Sequence, residues 1–156
     1  MKKTVAVIIG SGFGSGFWPW GPGTAGAFLA TAVWVALSFV LTSDALFAAT
    51  LVLTVVFTVL GVWSANVLAP SWGEDPSRVV VDEMVGVWIP LLGAPAGDAA
   101  YALAAFVLFR FFDILKPLGI RRMEQLPGGV GVMADDILAG LYSLVIILLA
   151  RWILIG

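Results

Sequence analysis

Cysteine and histidine are both absent from this chain of 156 residues. Without cysteine there is no disulfide framework and no thiolate metal ligand. Without histidine there is no imidazole ligand. Together the two absences exclude cysteine-nucleophile and histidine-nucleophile phosphatases and every Ser-His-Asp hydrolase. Whatever chemistry the chain performs must run on carboxylates, Lys and Arg, hydroxyls, backbone N–H groups and a hard metal ion. Charge is also scarce. Only 12% of residues are charged, against about 25% in soluble domains. The net charge is −2 and no basic stripe is present, which argues against a nucleic-acid partner. An internal repeat is missing too, so an inverted-repeat transporter lacks its usual cue.

What fills the chain is apolar: 61% of residues are hydrophobic, above the roughly 45–50% of soluble domains. The composition predicts an all-α integral membrane protein, with residues 1–156 as one domain. Met1-Lys2-Lys3 and the apolar run Thr4–Ile9 resemble the start of a signal peptide. The run is very short, meets glycines and has no small-x-small cleavage site, so it is read as part of the mature protein.

Five apolar segments follow: Ala25–Leu41, Ala45–Ala69 ended by Pro70, Val79–Gly93, Ala99–Leu115 and Ile137–Ile155. The expected architecture is a compact bundle of about five transmembrane or half-buried helices behind a glycine-rich N-terminal segment. The third and fourth segments are short enough to be buried in protein instead of facing lipid. Threading five spans from a cytoplasmic N-terminus puts Lys2, Lys3, Arg78, Arg110, Lys116, Arg121 and Arg122 on the cytoplasmic side and only Arg151 on the other, as the positive-inside rule asks. Trp18, Trp20 and Trp72 fall near one interface and Trp152 near the other, as an aromatic belt.

Three charged clusters interrupt the apolar chain: Asp82-Glu83, then Arg110 with Asp113 and Lys116, then Asp135-Asp136. Ionisable groups at membrane depth are costly and by default mark function. The same threading gathers all three clusters at one membrane face. Neighbouring residues on a helix diverge by about 100°, so at least one of Asp82 and Glu83 must point inward. Arg78 is an i,i+4 ion-pair partner for Asp82 if the pair is merely structural. Arg110, Asp113 and Lys116 share one helical face; they form either a self-satisfied ion network or a phosphate clamp with its carboxylate. One of Asp135 and Asp136 is explained as a helix N-terminal acid; the second is not. Gly10–Gly16 (GSGFGSG) either forms a nest of N–H groups for phosphate or packs closely against the spans. Thr24 is an N-cap candidate, and a helix N-terminus there would favour an anion.

The chain resembles the bacterial phosphatidylglycerophosphatase A family. The resemblance rests on GSGFG at Gly10–Gly14 with Pro22-Gly23-Thr24 and Gly26; Val80-Val81-Asp82-Glu83 with Gly86; Phe109–Ile114 with Lys116-Pro117; and Gly128–Met133 with Asp135-Asp136 and Ala139-Gly140. These stand in the family's order along nearly the whole chain. Phe17-Trp18-Pro19-Trp20-Gly21 departs from the pattern, and the loop before Asp82 lacks a histidine that some relatives carry. The resemblance implies a Mg²⁺-dependent lipid phosphatase of the bacterial inner membrane, multi-pass, that hydrolyses phosphatidylglycerophosphate to phosphatidylglycerol and phosphate. Its partners are that substrate and bilayer lipids; no protein partner is implied.

The expected mechanism is metal-assisted attack of water on a phosphomonoester. Mg²⁺ is held by some of Asp82, Glu83, Asp135 and Asp136. Arg110 and Lys116 clamp phosphoryl oxygens, and Asp113 orients Lys116 or acts as base. Ser11, Thr24 and Gly129 are further substrate-binding candidates. A phospho-aspartate route is the rival mechanism. A cation- or proton-coupled transporter is the rival function, disfavoured because transport sites lie near the midplane. A phosphotransferase joining two alcohols is a third reading, without its spaced D-x-x-x-D pattern here.

Overall fold

The structure is a computed structural model and describes residues 1–155. It is all-helical, with no strand among the described residues. The elements are α1 (Lys2–Gly10), a 3₁₀ turn (Ser15–Phe17), α2 (Pro22–Ser38), α3 (Ser43–Trp72), α4 (Val81–Leu91), α5 (Ala99–Leu115), α6 (Ile120–Met123) and α7 (Gly128–Ile155). Seven α-helices replace the five expected segments, and the extra ones are short: α1 and α6 are built from the N-terminal run and from the loop after Lys116.

α4 is the centre of the molecule. It has 11 residues and a rise of about 17 Å, too short for a bilayer core of about 30 Å. All its residues but Glu83 are buried. It packs against α2, α3, α5 and α7. The short third segment is therefore a core helix, not a lipid-facing span. Its contact with α7 is made by glycines: a Cβ on Gly140 would stand 2.5 Å from the Gly86 carbonyl oxygen. Small residues at this crossing let the two backbones approach. The indole N–H of Trp88 donates to the Ala30 carbonyl at 3.1 Å, pinning α4 to α2.

α3 and α7 are long, apolar and mostly unburied, and both meet the length and composition needed to cross a membrane. α3 starts with Thr42 as N-cap, its hydroxyl accepting from the Ala45 N–H at 3.3 Å. Pro70 does not end α3, contrary to expectation; the helix runs on to Trp72. Its ring removes one N–H bond and crowds the Asn66 carbonyl, and the helix closes two residues later at Trp72.

Two other boundaries move. α7 begins at Gly128, nine residues before the expected Ile137, because Gly128–Ala134 continue the helical run instead of looping. Asp135 and Asp136 thus lie two turns inside a helix, and neither is a helix N-terminal acid. α2 begins at Pro22 with Gly21 as N-cap. Thr24 is consequently in the first turn and exposed, not the cap.

Candidate active site

Three helices converge their charged residues on one point. α4 supplies Asp82 and Glu83 from its first turn, α5 supplies Arg110 and Asp113 with Lys116 as its C-cap, and α7 supplies Asp135 and Asp136. Oxygens of Asp82, Glu83 and Asp136 lie within 4.8 Å of one another, and so do oxygens of Asp113, Asp135 and Asp136. Asp136 belongs to both groups. The three clusters seen in the sequence are one cluster in space.

Lys116 ties the second group together. Its Nζ lies 2.5 Å from Asp135 Oδ2, 3.2 Å from Glu124 Oε1 and 3.5 Å from Asp113 Oδ1. Burial works against its charge. The hydrogen bond to Asp135 and the charges of Asp135, Asp136 and Asp113 outweigh that penalty and hold its pKa above the ordinary lysine value. Lys116 is therefore a fixed cation at neutral pH, suited to holding an anion and unsuited to giving up a proton. Arg110 pairs through Nη1 with Asp113 Oδ2. Asp113 accordingly holds both cations, not Lys116 alone.

Five carboxylates face two cations, and the accounting does not close. Asp82 Oδ1, Glu83 Oε2 and Asp136 Oδ1 are buried without a hydrogen-bond partner among the described residues, as is Arg110 Nε. Asp136 is 1% exposed and Asp82 6%. Unsatisfied buried carboxylate oxygens are among the most costly arrangements in a protein. The structural partner considered for Asp82 does not supply the charge: Arg78 lies in the loop before α4, with its guanidinium over the Phe17 and Trp72 rings at 5.8 and 5.9 Å. It cannot reach as an i,i+4 partner because the helix starts only at Val81. A set of converging hard oxygen donors without nitrogen or sulfur suits Mg²⁺ and similar ions. The residues present fit such an ion.

A cavity of about 320 Å³ opens onto the cluster, lined by Asp82, Glu83, Asp113, Lys116, Asp135 and Asp136, with Asp75, Pro76, Ser77, Val79 and Glu124 around them. Larger hollows exist elsewhere, including one of about 360 Å³ around Trp34 and Arg151; the acids, not the volume, single out this cavity. Asp75, Ser77 and Glu124 were not foreseen. The adjacent acids Glu74 and Asp75 in the polar segment between α3 and α4 are the sequence signal for Asp75. Nothing in the sequence pointed to Glu124, which meets Lys116 only because the chain doubles back through α6. Burial at the mouth, then the charge of Asp82, raises the pKa of Asp75 above the usual carboxylate value.

The remaining expected residues sit differently. α2 enters the site with Gly23, not Thr24: a Cβ on Gly23 would stand 2.6 Å from Glu83 Oε1 and 3.4 Å from Arg110 Nη1. Ser11 is buried, and its hydroxyl accepts from the Gly14 N–H at 3.1 Å. Its loop packs against the strand of chain before α4, where the Val80 N–H donates to the Gly10 carbonyl at 2.8 Å. The glycine-rich segment thus serves close packing here. The Gly129 N–H is taken by Asn66 Oδ1 at 2.7 Å, joining α7 to α3. Ser11, Thr24 and Gly129 do not line the acidic cavity.

A family profile described as Phosphatidylglycerophosphatase A matches residues 8–151. The chain is similar to a Bacteroides thetaiotaomicron protein provisionally named as a phosphatidylinositol-3-phosphatase, at 61% identity over 150 residues, 95% of this chain and 94% of that one. It is 38% identical over 142 residues to the phosphatidylglycerophosphatase A of Haemophilus influenzae, covering 90% and 85% of the two chains. It is 36% identical over 138 residues to that of Escherichia coli, covering 87% and 77%. No solved structure matches it. With the profile spanning almost the whole chain and all the acidic helices within it, the chain belongs to the phosphatidylglycerophosphatase A family, a family of phosphatases.

Proposed function

We propose that this phosphatase is embedded in a bacterial inner membrane, faces the cytoplasm with its acidic cavity, and hydrolyses phosphatidylglycerophosphate to phosphatidylglycerol and phosphate with Mg²⁺ in phospholipid biosynthesis. The observation that carries the reading is the surplus of buried, partnerless carboxylate oxygens beside Lys116 and Arg110. That combination suits a phosphate brought in together with a divalent cation.

Membrane embedding is supported by the outer faces of the long helices. Val52, Val55 and Val59 of α3 and Leu148, Leu149 and Trp152 of α7 are all exposed. Such apolar stripes would be a liability in water. Exposed Trp18, Trp20 and Trp152 fit interface belts. Orientation follows from the seven basic residues expected at the cavity end against Arg151 at the other.

Asp82, Glu83 and Asp136 would hold the ion, with the oxygens of Asp113 and Asp135 as a second set sharing Asp136. Bound Mg²⁺ would withdraw electron density from a phosphoryl oxygen and acidify water. Arg110 and Lys116 neutralise the phosphoryl oxygens as charge builds on them. Asp113 positions both cations. α4, closed in by four helices, keeps the floor of the cavity rigid and dry. A carboxylate of the cluster takes the proton of the attacking water; ¹⁸O placed in the carboxyl groups would expose the phospho-aspartate rival.

The transporter reading loses ground because the carboxylates sit at one end of their helices and the family is one of phosphatases. The name of the Bacteroides relative favours a second substrate, phosphatidylinositol 3-phosphate, which offers the same chemistry: a phosphomonoester at headgroup depth. The test is phosphate release by the purified protein from each lipid, with and without Mg²⁺. Faster Mg²⁺-dependent release from phosphatidylglycerophosphate is expected. Preference for the inositol lipid would reassign the substrate, and release from neither would overturn the proposal.

A further inference from the structure

At the end of α7 away from the acids, Arg151 stands at a second cavity. About 22 Å of helix axis separates it from Asp136. The cavity measures about 360 Å³, with Trp34, Leu46, Phe47 and Leu91 as apolar walls and Asp44 and Arg151 as its charged groups. Arg151 is half-buried. Its Nη1 donates to the Gly93 carbonyl at 2.8 Å, and no ion pair to it occurs among the described residues. Asp44 lies in the first turn of α3 and is exposed. The two opposite charges line one hollow without meeting. On its outer flank Arg151 also lines a groove of about 250 Å³ with Leu148, Trp152 and Ile155.

We infer that this end of the bundle binds a phospholipid whose headgroup carries both a phosphate and an amine, with Arg151 on the phosphate, Asp44 on the ammonium and an acyl chain in the Leu148–Ile155 groove. The inference rests on the membrane-embedded reading above. A guanidinium presents several donors and Gly93 uses one, leaving a fork for phosphate oxygens. A lone cation would accept any anionic lipid; the carboxylate across the hollow repels a second negative charge and selects a headgroup that is positive at its tip. The apolar walls beside half-buried Arg151 strengthen its contact by holding off water, while the exposed Asp44 supplies the weaker, selecting charge. The bland account is an arginine that only reaches for the interface and caps a carbonyl. It predicts no preference among lipids.

The experiment is lipid retention. The full chain is purified in mild detergent, mixed with equal amounts of phosphatidylethanolamine and phosphatidylglycerol, and read by native mass spectrometry. Wild type is expected to retain the amine lipid preferentially. Arg151→Gln should lower retention of both by about tenfold, the equilibrium equivalent of one charge-assisted hydrogen bond. Asp44→Asn should abolish the preference while keeping phosphatidylglycerol. Ala96→Trp fills the hollow without touching either charge and should lower retention as Arg151→Gln does; it decides the matter if Arg151→Gln does not fold. Equal retention of the two lipids by wild type, or retention unchanged in Asp44→Asn and Ala96→Trp, overturns the inference. Resistance of the wild type to carbonate extraction tests the membrane reading separately, and phosphate release tests the phosphatase reading.

Discussion

α7 carries charge at both of its ends, and the two ends solve the same problem in opposite ways. Asp135 and Asp136 are buried two turns from one end, and Asp136 has an oxygen without a partner. Arg151, near the other end, is half-buried and hydrogen-bonded to a carbonyl. A long side chain can carry its charge along the helix to the interface. An aspartate cannot, so its burial must be compensated on the spot or by something that binds. A cation near a membrane boundary is thus weak evidence of function by itself, and Arg151 gains its proposed role only from the hollow it shares with Asp44, whereas an uncompensated buried carboxylate is strong evidence alone.

The sharpest way to break this comparison is Asp136→Asn, with Asp82→Asn beside it. Each keeps shape and removes charge. Activity should fall about 10²-fold or more if these oxygens hold metal. Stability in the absence of Mg²⁺ should hold or rise, because the substitution relieves repulsion within an over-acidic cluster. A melting temperature that falls while activity stays would show that the carboxylates are structural.

Lys116→Ala acts on the same cluster from the other side. It leaves Asp113, Asp135 and Glu124 without their shared cation. These pairs are part-buried, so the loss should cost less than the roughly 3–5 kcal/mol of a fully buried pair, read by thermal or denaturant melting in detergent. The sign with pH follows from its raised pKa. Its contribution is fully present below the unfolded lysine pKa of about 10.4 and is lost as pH rises through the higher folded value. Melting curves of wild type and Lys116→Ala should therefore stay separated from neutral pH to about pH 10. Curves that converge near pH 8 would refute the fixed-cation role.

Chelation comes next. Free Mg²⁺ at about a hundred times its dissociation constant should stabilise the wild type by about 2.7 kcal/mol, and Asp136→Asn by much less. An equal shift in both would place the ion elsewhere. The smallest effect is expected at the cavity mouth. Asp75→Asn touches a residue on the exposed rim of the cavity whose carboxyl pKa is raised by partial desolvation and then by Asp82, and should change stability by under about 0.5 kcal/mol. A large loss of stability would mean that the segment between α3 and α4 is part of the core.

Several features were legible before any coordinates. The apolar composition and the long apolar segments predicted an all-helical chain, and the three charged clusters predicted one site. Arg110, Asp113 and Lys116 were placed on one face by their spacing alone, and the short third segment was recognised as a candidate for burial. The failures are at boundaries and in long-range contacts. Gly128–Gly131 read as a loop because glycine is a poor helix former, yet packing against α3 makes those glycines the start of α7. Pro70 reads as a stop because its ring opposes the preceding turn, yet the helix runs two residues past it. Arg78, the structural alternative as partner for Asp82, does not pair with it because helical spacing does not apply where the chain is not yet helical.

By itself, the sequence determined which chemistry is available: carboxylates and fixed cations, without thiol or imidazole, on strongly apolar helices. It determined the periodic faces as well, since those depend on neighbours a few residues apart. Only the tertiary structure decided that Lys116 reaches Asp135, that Gly23 is the point where α2 meets Glu83, and that Arg151 and Asp44 share a hollow. Each of these joins residues far apart in the chain, and it is set by helix crossings such as Gly86 against Gly140. Local propensity carries no information about such crossings; they are chosen by which side chains can pack.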